Sequence, residues 1–184
     1  MEMKKTLIIL AALGVLVTLL ACEKETYKLG DTGPAGGIVF YDRGSSEEGW
    51  RYLEAAPAET EFTAQWGLLD TDIDGTETGI GSGKRNTQLI IATLGENGTA
   101  ALLCDKMDID GYNDWFLPSK DELDLMYNNL SQKGRGGFSQ KMYWSSSQGS
   151  NNLYAWRQSF IDGTQIMKYN LKNFTFSVRA VRAF

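Results

Sequence analysis

The sequence predicts an α+β fold in which strands come first, two helical segments follow, and a mainly antiparallel set of strands closes the chain. Three observations carry this expectation. A glycine-rich turn at residues 30–37 feeds the apolar run Ile38-Val39-Phe40-Tyr41. A capping box opens a helix at Ser119. After Gly137 the apolar period changes from that of a helix to the alternation of strands.

The stretch GDTGPAGGIVFYD, residues 30–42, begins as two collagen-like triplets, but the glycine period is lost at once. A triple helix needs glycine at every third place over many turns, so these glycines shape a turn that enters the first strand. Trp50-Arg-Tyr-Leu-Glu-Ala-Ala reads as a second strand, ended by Pro57. Residues 67–83 form a loop. Asn86-Thr87 starts a helix carrying Leu89, Ile90, Ile91 and Leu94; residues 95–98 interrupt it, and it resumes over residues 99–107. Residues 108–115 are a polar turn. In the capping box, Ser119 accepts from the Glu122 amide while Glu122 reaches back to the Ser119 amide. Leu123, Met126, Tyr127 and Leu130 then share one face. Strands follow at residues 142–147, 154–160, 164–169 and 177–184, and Asp162-Gly163 is the hairpin turn between the second and third of them.

The N-terminus has the layout of an export signal. Met-Glu-Met-Lys-Lys is basic, residues 6–20 are almost wholly apolar, and Leu19-Leu20-Ala21-Cys22 closes the run. That run is short for a bilayer span, which needs about 20 residues. The closing tetrapeptide resembles the bacterial lipoprotein signal. The resemblance implies removal of residues 1–21, lipid on Cys22, a tether at residues 22–29 and one domain at residues 30–184. It also implies a place in the bacterial cell envelope, held to the outer surface by lipid. Several acyl chains anchor stably where one alone is marginal.

Loss of Glu2, Lys4 and Lys5 takes the 18 basic and 23 acidic residues to 16 and 22, a net charge of −6. With no concentrated basic face, nucleic acid is not an expected partner. Cys104 is then the one cysteine left for the domain, so no internal disulfide forms. It follows Ala-Ala-Leu-Leu and reads as a buried, inert thiol. The chain has no histidine, which removes Ser-His-Asp and Cys-His catalysis and histidine-bound zinc. No spacing of lysines and carboxylates points to another mechanism. The expectation is a protein that is not an enzyme and carries no organic cofactor.

The words GDTGPAGGIVFYD, GSGKRNT, GYNDWFLPSKDEL, YWSSS and SVRAVRAF, in this order, resemble the Lcl C-terminal-like domain of bacterial surface lipoproteins. The resemblance spans residues 30–184 and implies a C-type lectin-like fold, with N- and C-terminal strands paired, helices flanking them and a loop-rich ligand face. The VRAVRAF ending is also similar to the last strand of the formylglycine-generating enzyme, whose chemistry depends on cysteines that this chain lacks. Members of the lipoprotein family often carry a cysteine just after the Trp-Gly found here at Trp66-Gly67, paired with a helix cysteine at the place of Cys104. Leu68 stands there instead. The missing staple would be worth about 3 kcal/mol, and Leu68 packing against Cys104 is expected to offset part of it.

Asp70-Thr-Asp72-Ile-Asp74-Gly75 has the alternating carboxylates and sixth-place glycine of a calcium loop. Gly81 stands where an EF-hand needs glutamate, so the EF-hand is excluded. Two readings stay open: another kind of calcium loop with Asp70, Asp72 and Asp74 as ligands, and a solvated acidic turn. Asp108, Asp110, Asn113 and Asp114 share that ambiguity. The Glu-Pro-Asn, Gln-Pro-Asp and Trp-Asn-Asp words of calcium-dependent lectins are absent.

Residues 144–154 and 168–173 are rich in Tyr, Ser, Asn and Gly, the alphabet of antibody-like binding surfaces. Gln148, Ser150, Asn151, Asn152, Tyr154, Trp156, Tyr169, Asn170 and Asn173 are the candidate ligand-binding residues. In the competing reading Trp144, Trp156 and Phe160 are core and the rest are plain hairpin loops. The region also resembles the hypervariable segment of lectin-like proteins diversified by retroelements. That resemblance marks Asn151, Asn152, Tyr154, Tyr169, Asn170 and Asn173 as variable sites. The expected function is a membrane-anchored surface lipoprotein whose domain binds a protein or a glycan. A purely structural envelope lipoprotein and an accessory of formylglycine chemistry are the alternatives.

Overall fold

The computed structural model describes residues 25–95, 99–168 and 171–184. The expected signal segment, Cys22, Tyr169 and Asn170 lie outside them. The architecture is α+β, as the periodicities predict. In chain order it runs β1 (Ile38–Asp42), β2 (Tyr52–Ala55), β3 (Phe62–Gln65), α1 (Gly83–Leu94), α2 (Ala100–Asp105), α3 (Lys120–Asn129), β4 (Met142–Gln148), β5 (Ala155–Ser159), β6 (Gln165–Ile166), β7 (Thr175–Val178) and β8 (Val181–Ala183). Among the described residues no helix is long and apolar enough to cross a membrane.

The strands form two sheets. The first has the order β1-β2-β8, all antiparallel, so the N-terminal hairpin carries the C-terminal strand. The Phe184 carbonyl extends that pairing by accepting from the amides of Arg51 and Tyr52. The second has the order β3-β7-β4-β5-β6, antiparallel except where β4 meets β7 at Tyr143 and Ser177. Strand β3 escapes the periodicity analysis because Ala64 is its one buried residue, which leaves no alternation to detect.

The expected single strand at residues 177–184 is two strands in two sheets. The division falls at Arg179, which is 1% exposed. Its guanidinium donates to the carbonyls of Ala56, Gly136 and Gly137 and pairs with Glu61 at 2.8 Å. The backbone leaves one sheet there and enters the other at Val181, where Phe116 exchanges both backbone bonds with it.

Two apolar clusters fill the interior. One packs Trp66, Ile90, Cys104, Trp115, Trp144 and Val178 under α1 and α2. The other packs Phe40, Leu53, Phe116, Leu123, Tyr143 and Phe160 against α3. Cys104 is fully buried and burial pushes its thiol pKa upward, as befits an inert core residue. Leu68 does not compensate for the missing staple: it is 48% exposed and takes no part in the cluster that holds Cys104. At the N-terminus Tyr27 wedges edge-on against Tyr52 and Phe184, with ring centroids 5.4 and 5.2 Å away. The chain ahead of β1 is therefore packed onto the first sheet at residue 27.

The collagen-like glycines serve close approach. A Cβ on Gly37 would stand 2.4 Å from the Ala55 carbonyl, and one on Gly33 would stand 2.3 Å from a Glu54 carboxyl oxygen. Glu54 is wholly buried and accepts from the amides of Ala35 and Gly37. Arg182 joins it at 3.0 Å and also reaches Asp114. The glycine turn is thus folded over a buried ion pair.

The capping box forms and does more than cap. Ser119 Oγ accepts from the Glu122 amide, and Glu122 Oε2 accepts from the Ser119 amide at 2.7 Å. The other carboxyl oxygen accepts from Gly81 at 2.8 Å and Gly83 at 3.5 Å. That second set of bonds starts α1 at Gly83, earlier than Asn86, and a Cβ on Gly83 would stand 2.2 Å from Glu122. Burial raises the Glu122 carboxyl to about 7, against the opposing pull of these amides.

Glu122→Gln puts an amide NH2 against an N–H donor, and the expected loss is about 1–3 kcal/mol with a lower melting temperature. The pH dependence has a definite sign. A folded value near 7 against the ordinary 4.5 means that the folded chain keeps a proton which the unfolded chain releases in between. That contribution is complete below pH 4.5 and is lost as pH rises through about 7. Urea unfolding across this range should show the gap between wild type and Glu122→Gln narrowing with rising pH. A widening gap would overturn the assignment.

Candidate functional site

The long loop between β3 and α1 returns to the end of β4 and is bonded along its length. Ile73 is 2% exposed, and its amide donates to Gln148 Oε1 at 2.9 Å. The Gln148 amide donates to Thr76 Oγ1 at 3.1 Å. The Glu77 backbone is held at both ends by the buried side chain of Asn86, through Oδ1 at 2.9 Å and Nδ2 at 2.7 Å. The serines of YWSSS complete the seam. Ser147 Oγ donates to the Glu77 carbonyl, Ser146 Oγ accepts from Asn86, and Ser145 Oγ donates to the Trp156 carbonyl. A loop that reads as loose glycine and aspartate is therefore fixed to the sheet.

Lys172 closes the same region from the other side. It is 0% exposed. Its ammonium donates to the Thr71 carbonyl at 2.8 Å and to Gln148 Oε1 at 2.5 Å, and sits 4.6 Å from the centre of the Trp66 ring. Its backbone amide donates to Leu153, and its carbonyl accepts from Trp66 and Gly67. Burial lowers the ammonium to about 8, opposed by the charge of Asp72. A buried charge is tolerated when it is bonded, and here an amide oxygen, a carbonyl and an aromatic face surround the ammonium.

The sequence-derived candidates divide by environment. Gln148 has its amide fully engaged: Oε1 accepts from Ile73 and Lys172, and Nε2 donates to Asp72 at 2.5 Å. Trp156 is half-buried with the Lys120 ammonium 5.3 Å from its ring. Ser150, Asn151 and Asn173 are exposed, while Asn152 and Tyr154 are half-buried. The 149–154 loop is closed by Gly149 donating to the Tyr154 carbonyl at 2.8 Å and by Leu153 donating to Asn151 Oδ1. Tyr154 pairs with Leu171, and Ser150 donates to the Met167 sulfur at 3.2 Å. The structure thus brings residues 149–154, residues 171–173 and the Asp70–Asp74 loop to one end of β4. Phe174, 44% exposed and next to Asn173, belongs to the same surface.

Asp70, Asp72 and Asp74 are all exposed, and Asp70 has φ of +57°. Among the described residues no group of three or more His, Cys, Asp or Glu converges on a point. Asp72 faces Gln148 and Lys172. Lys172 and Asn86 are the organising residues that sequence reasoning missed. In the word YNLKN a lysine between asparagines reads as a solvated loop residue, and no spacing signal marks it for burial.

A cavity of about 340 Å³ lies away from these loops, among Tyr27, Trp50, Arg51, Tyr52 and Phe184. Its walls are largely aromatic, but Arg51 is already paired to Asp42 at 2.7 Å. It offers shape with few convergent polar groups, whereas ligand sites combine the two.

The signature words themselves are structural. YWSSS, Ser119 and Glu122 of DWFLPSKDEL and the two arginines of SVRAVRAF direct their polar atoms inward, to Glu61, Glu77 and Glu54 among others, while Lys120 and Asp121 pair with each other at the surface. A family model described as the Lcl C-terminal domain matches residues 50–182. Among solved structures, a fimbrial protein from Bacteroides ovatus superposes with a TM-score of 0.55 at 14% sequence identity, over 80% of this chain and 44% of that one. The likeness is one of fold, it agrees with the lectin-like architecture, and the chain spans less than half of that protein's length. No curated protein matches the chain.

Proposed function

Since the chain belongs to the Lcl C-terminal domain family, we propose that it is a bacterial surface lipoprotein whose domain binds a protein or glycan and catalyses no reaction. One observation carries this reading. Ser119, Glu122, the YWSSS serines and Arg179 of the family words are occupied inside the domain, while Ser150, Asn151 and Asn173 stay exposed on loops that the interior holds in place. Tyr154, half-buried among them, suits the role of a rigid contact residue ringed by adaptable amides. Tyr169 and Asn170 extend the same set in sequence. The lack of histidine and of a cysteine pair supports binding over chemistry. The fimbrial likeness is compatible with a surface role and adds the fold alone.

Binding is tested by screening the purified domain against glycan and protein arrays, then repeating the screen with Tyr154→Ala and with Asn151→Ala/Asn152→Ala. The expected result is a loss of affinity of about thirtyfold or more for Tyr154→Ala, the level of an interface hot spot, with an unchanged melting temperature. A screen that yields no binder would favour the structural-lipoprotein alternative, and full binding by all the variants would overturn these loops as the binding face. Anchoring rests on the signal and Cys22; Cys22→Ala is expected to move the protein from the membrane to the soluble fraction, and a variant that stays bound would remove the lipid.

Diversification by a retroelement remains part of the proposal. It predicts a nearby near-copy of the codons for residues 143–184, mismatched mainly at adenines. The codons for Gln148 and Lys172, whose side chains hold the loops, should be spared. A flanking sequence without such a copy would leave a receptor of fixed specificity.

A further inference from the structure

Lys172 touches the loop after β3, the end of β4 and the 149–154 loop, three segments of the candidate face. Its ammonium bonds the loop after β3 at Thr71 and the end of β4 at Gln148. Its backbone bonds Leu153 on one side and Trp66 and Gly67 on the other. The groups around the charge are a backbone carbonyl, a side-chain amide oxygen and, held beside them by Gln148, the Asp72 carboxylate. Oxygen donors of these three types, gathered from separate loops, are what a hard metal ion collects. Here the positive centre is covalently part of the chain and supplies up to three N–H donors of its own.

We propose that the Lys172 ammonium is the built-in structural cation of this face, holding its loops in place of a metal ion. The proposal rests on reading these loops as the binding face. Its test uses no ligand, so it can fail while the binding proposal stands. The competing account is that Lys172 fills space with its methylene stem above Trp66, in which case an uncharged side chain of equal length would serve.

Hydrogen exchange on the full chain separates the two accounts. Lys172→Met keeps an unbranched stem one atom shorter and removes the charge. Amides of residues 68–77 and 149–154 are expected to exchange about tenfold faster or more, the loss of charge-assisted bonds, while the β4–β5 ladder keeps its protection. In Lys172→Ala, added propylammonium is expected to restore protection of those loops, and propanol, of the same length without the charge, to restore less. Calcium is expected to leave the wild-type melting temperature unmoved, because the cation's place is filled. Unchanged loop exchange in Lys172→Met, equal rescue by propanol, or a calcium-raised wild-type melting temperature would each overturn the proposal. Should the variants fail to fold, amine acylation of the wild-type chain carries the test. Lys172 must label far more slowly than the exposed Lys141, and equal rates would overturn the ammonium's burial.

Discussion

The buried carboxylate of Glu122 meets backbone amides from three places at once: the end of the long loop, the first residue of α1 and the N-cap of α3. Each of those amides lies at a helix start or a turn, where no intrahelical partner exists. One side chain therefore satisfies donors that would otherwise need separate caps, and in doing so fixes how the two helical segments approach each other. The loop that ends at Gly81 can cross the molecule and return because its end is tied there. The seam along β4 then has a fixed loop to bond to.

Two buried arginine–glutamate pairs perform a related task for the sheets. Arg179 with Glu61 sits where the last stretch of chain changes sheet, and Arg182 with Glu54 sits under the glycine turn. Such pairs contribute little net stability compared with apolar replacements, but breaking one partner is costly. In this fold each arginine also binds backbone carbonyls or a second carboxylate, so the geometry of the crossover is specified as well as paired.

What was legible in the sequence was local. The Ser119–Glu122 box, the Asp162-Gly163 turn, the interruption at Gly95 and the period of two after Gly137 involve neighbours along the chain, and all of them form. What was not legible depends on partners far apart. Arg182 and Glu54 are separated by 128 residues, Arg179 and Glu61 by 118, and Lys172 and Thr71 by 101. Nothing in the spacing of a lone lysine or arginine announces such a partner. The candidate face shows the same division. Composition pointed to the 148–154 and 168–173 stretches, but it could not separate Gln148, whose amide is wholly engaged inside, from Asn151, which faces water. The acidic run at Asp70–Asp74 carries the pattern of a cation loop, while the positive charge beside it comes from residue 172.

The packing of Tyr27 against Tyr52 and Phe184 has a mechanical side. Residues ahead of a domain usually act as a free swivel, letting it point in any direction. Here the chain is already clamped to the β1-β2-β8 sheet by the time it reaches residue 27. A pull along the chain from that side is received by three rings packed edge-on and tilted, and by the sheet that carries the first and last strands. The clamp joins β2 to Phe184, the residue after β8, so a load that reaches residue 27 enters the first sheet through strands from both ends of the fold at once.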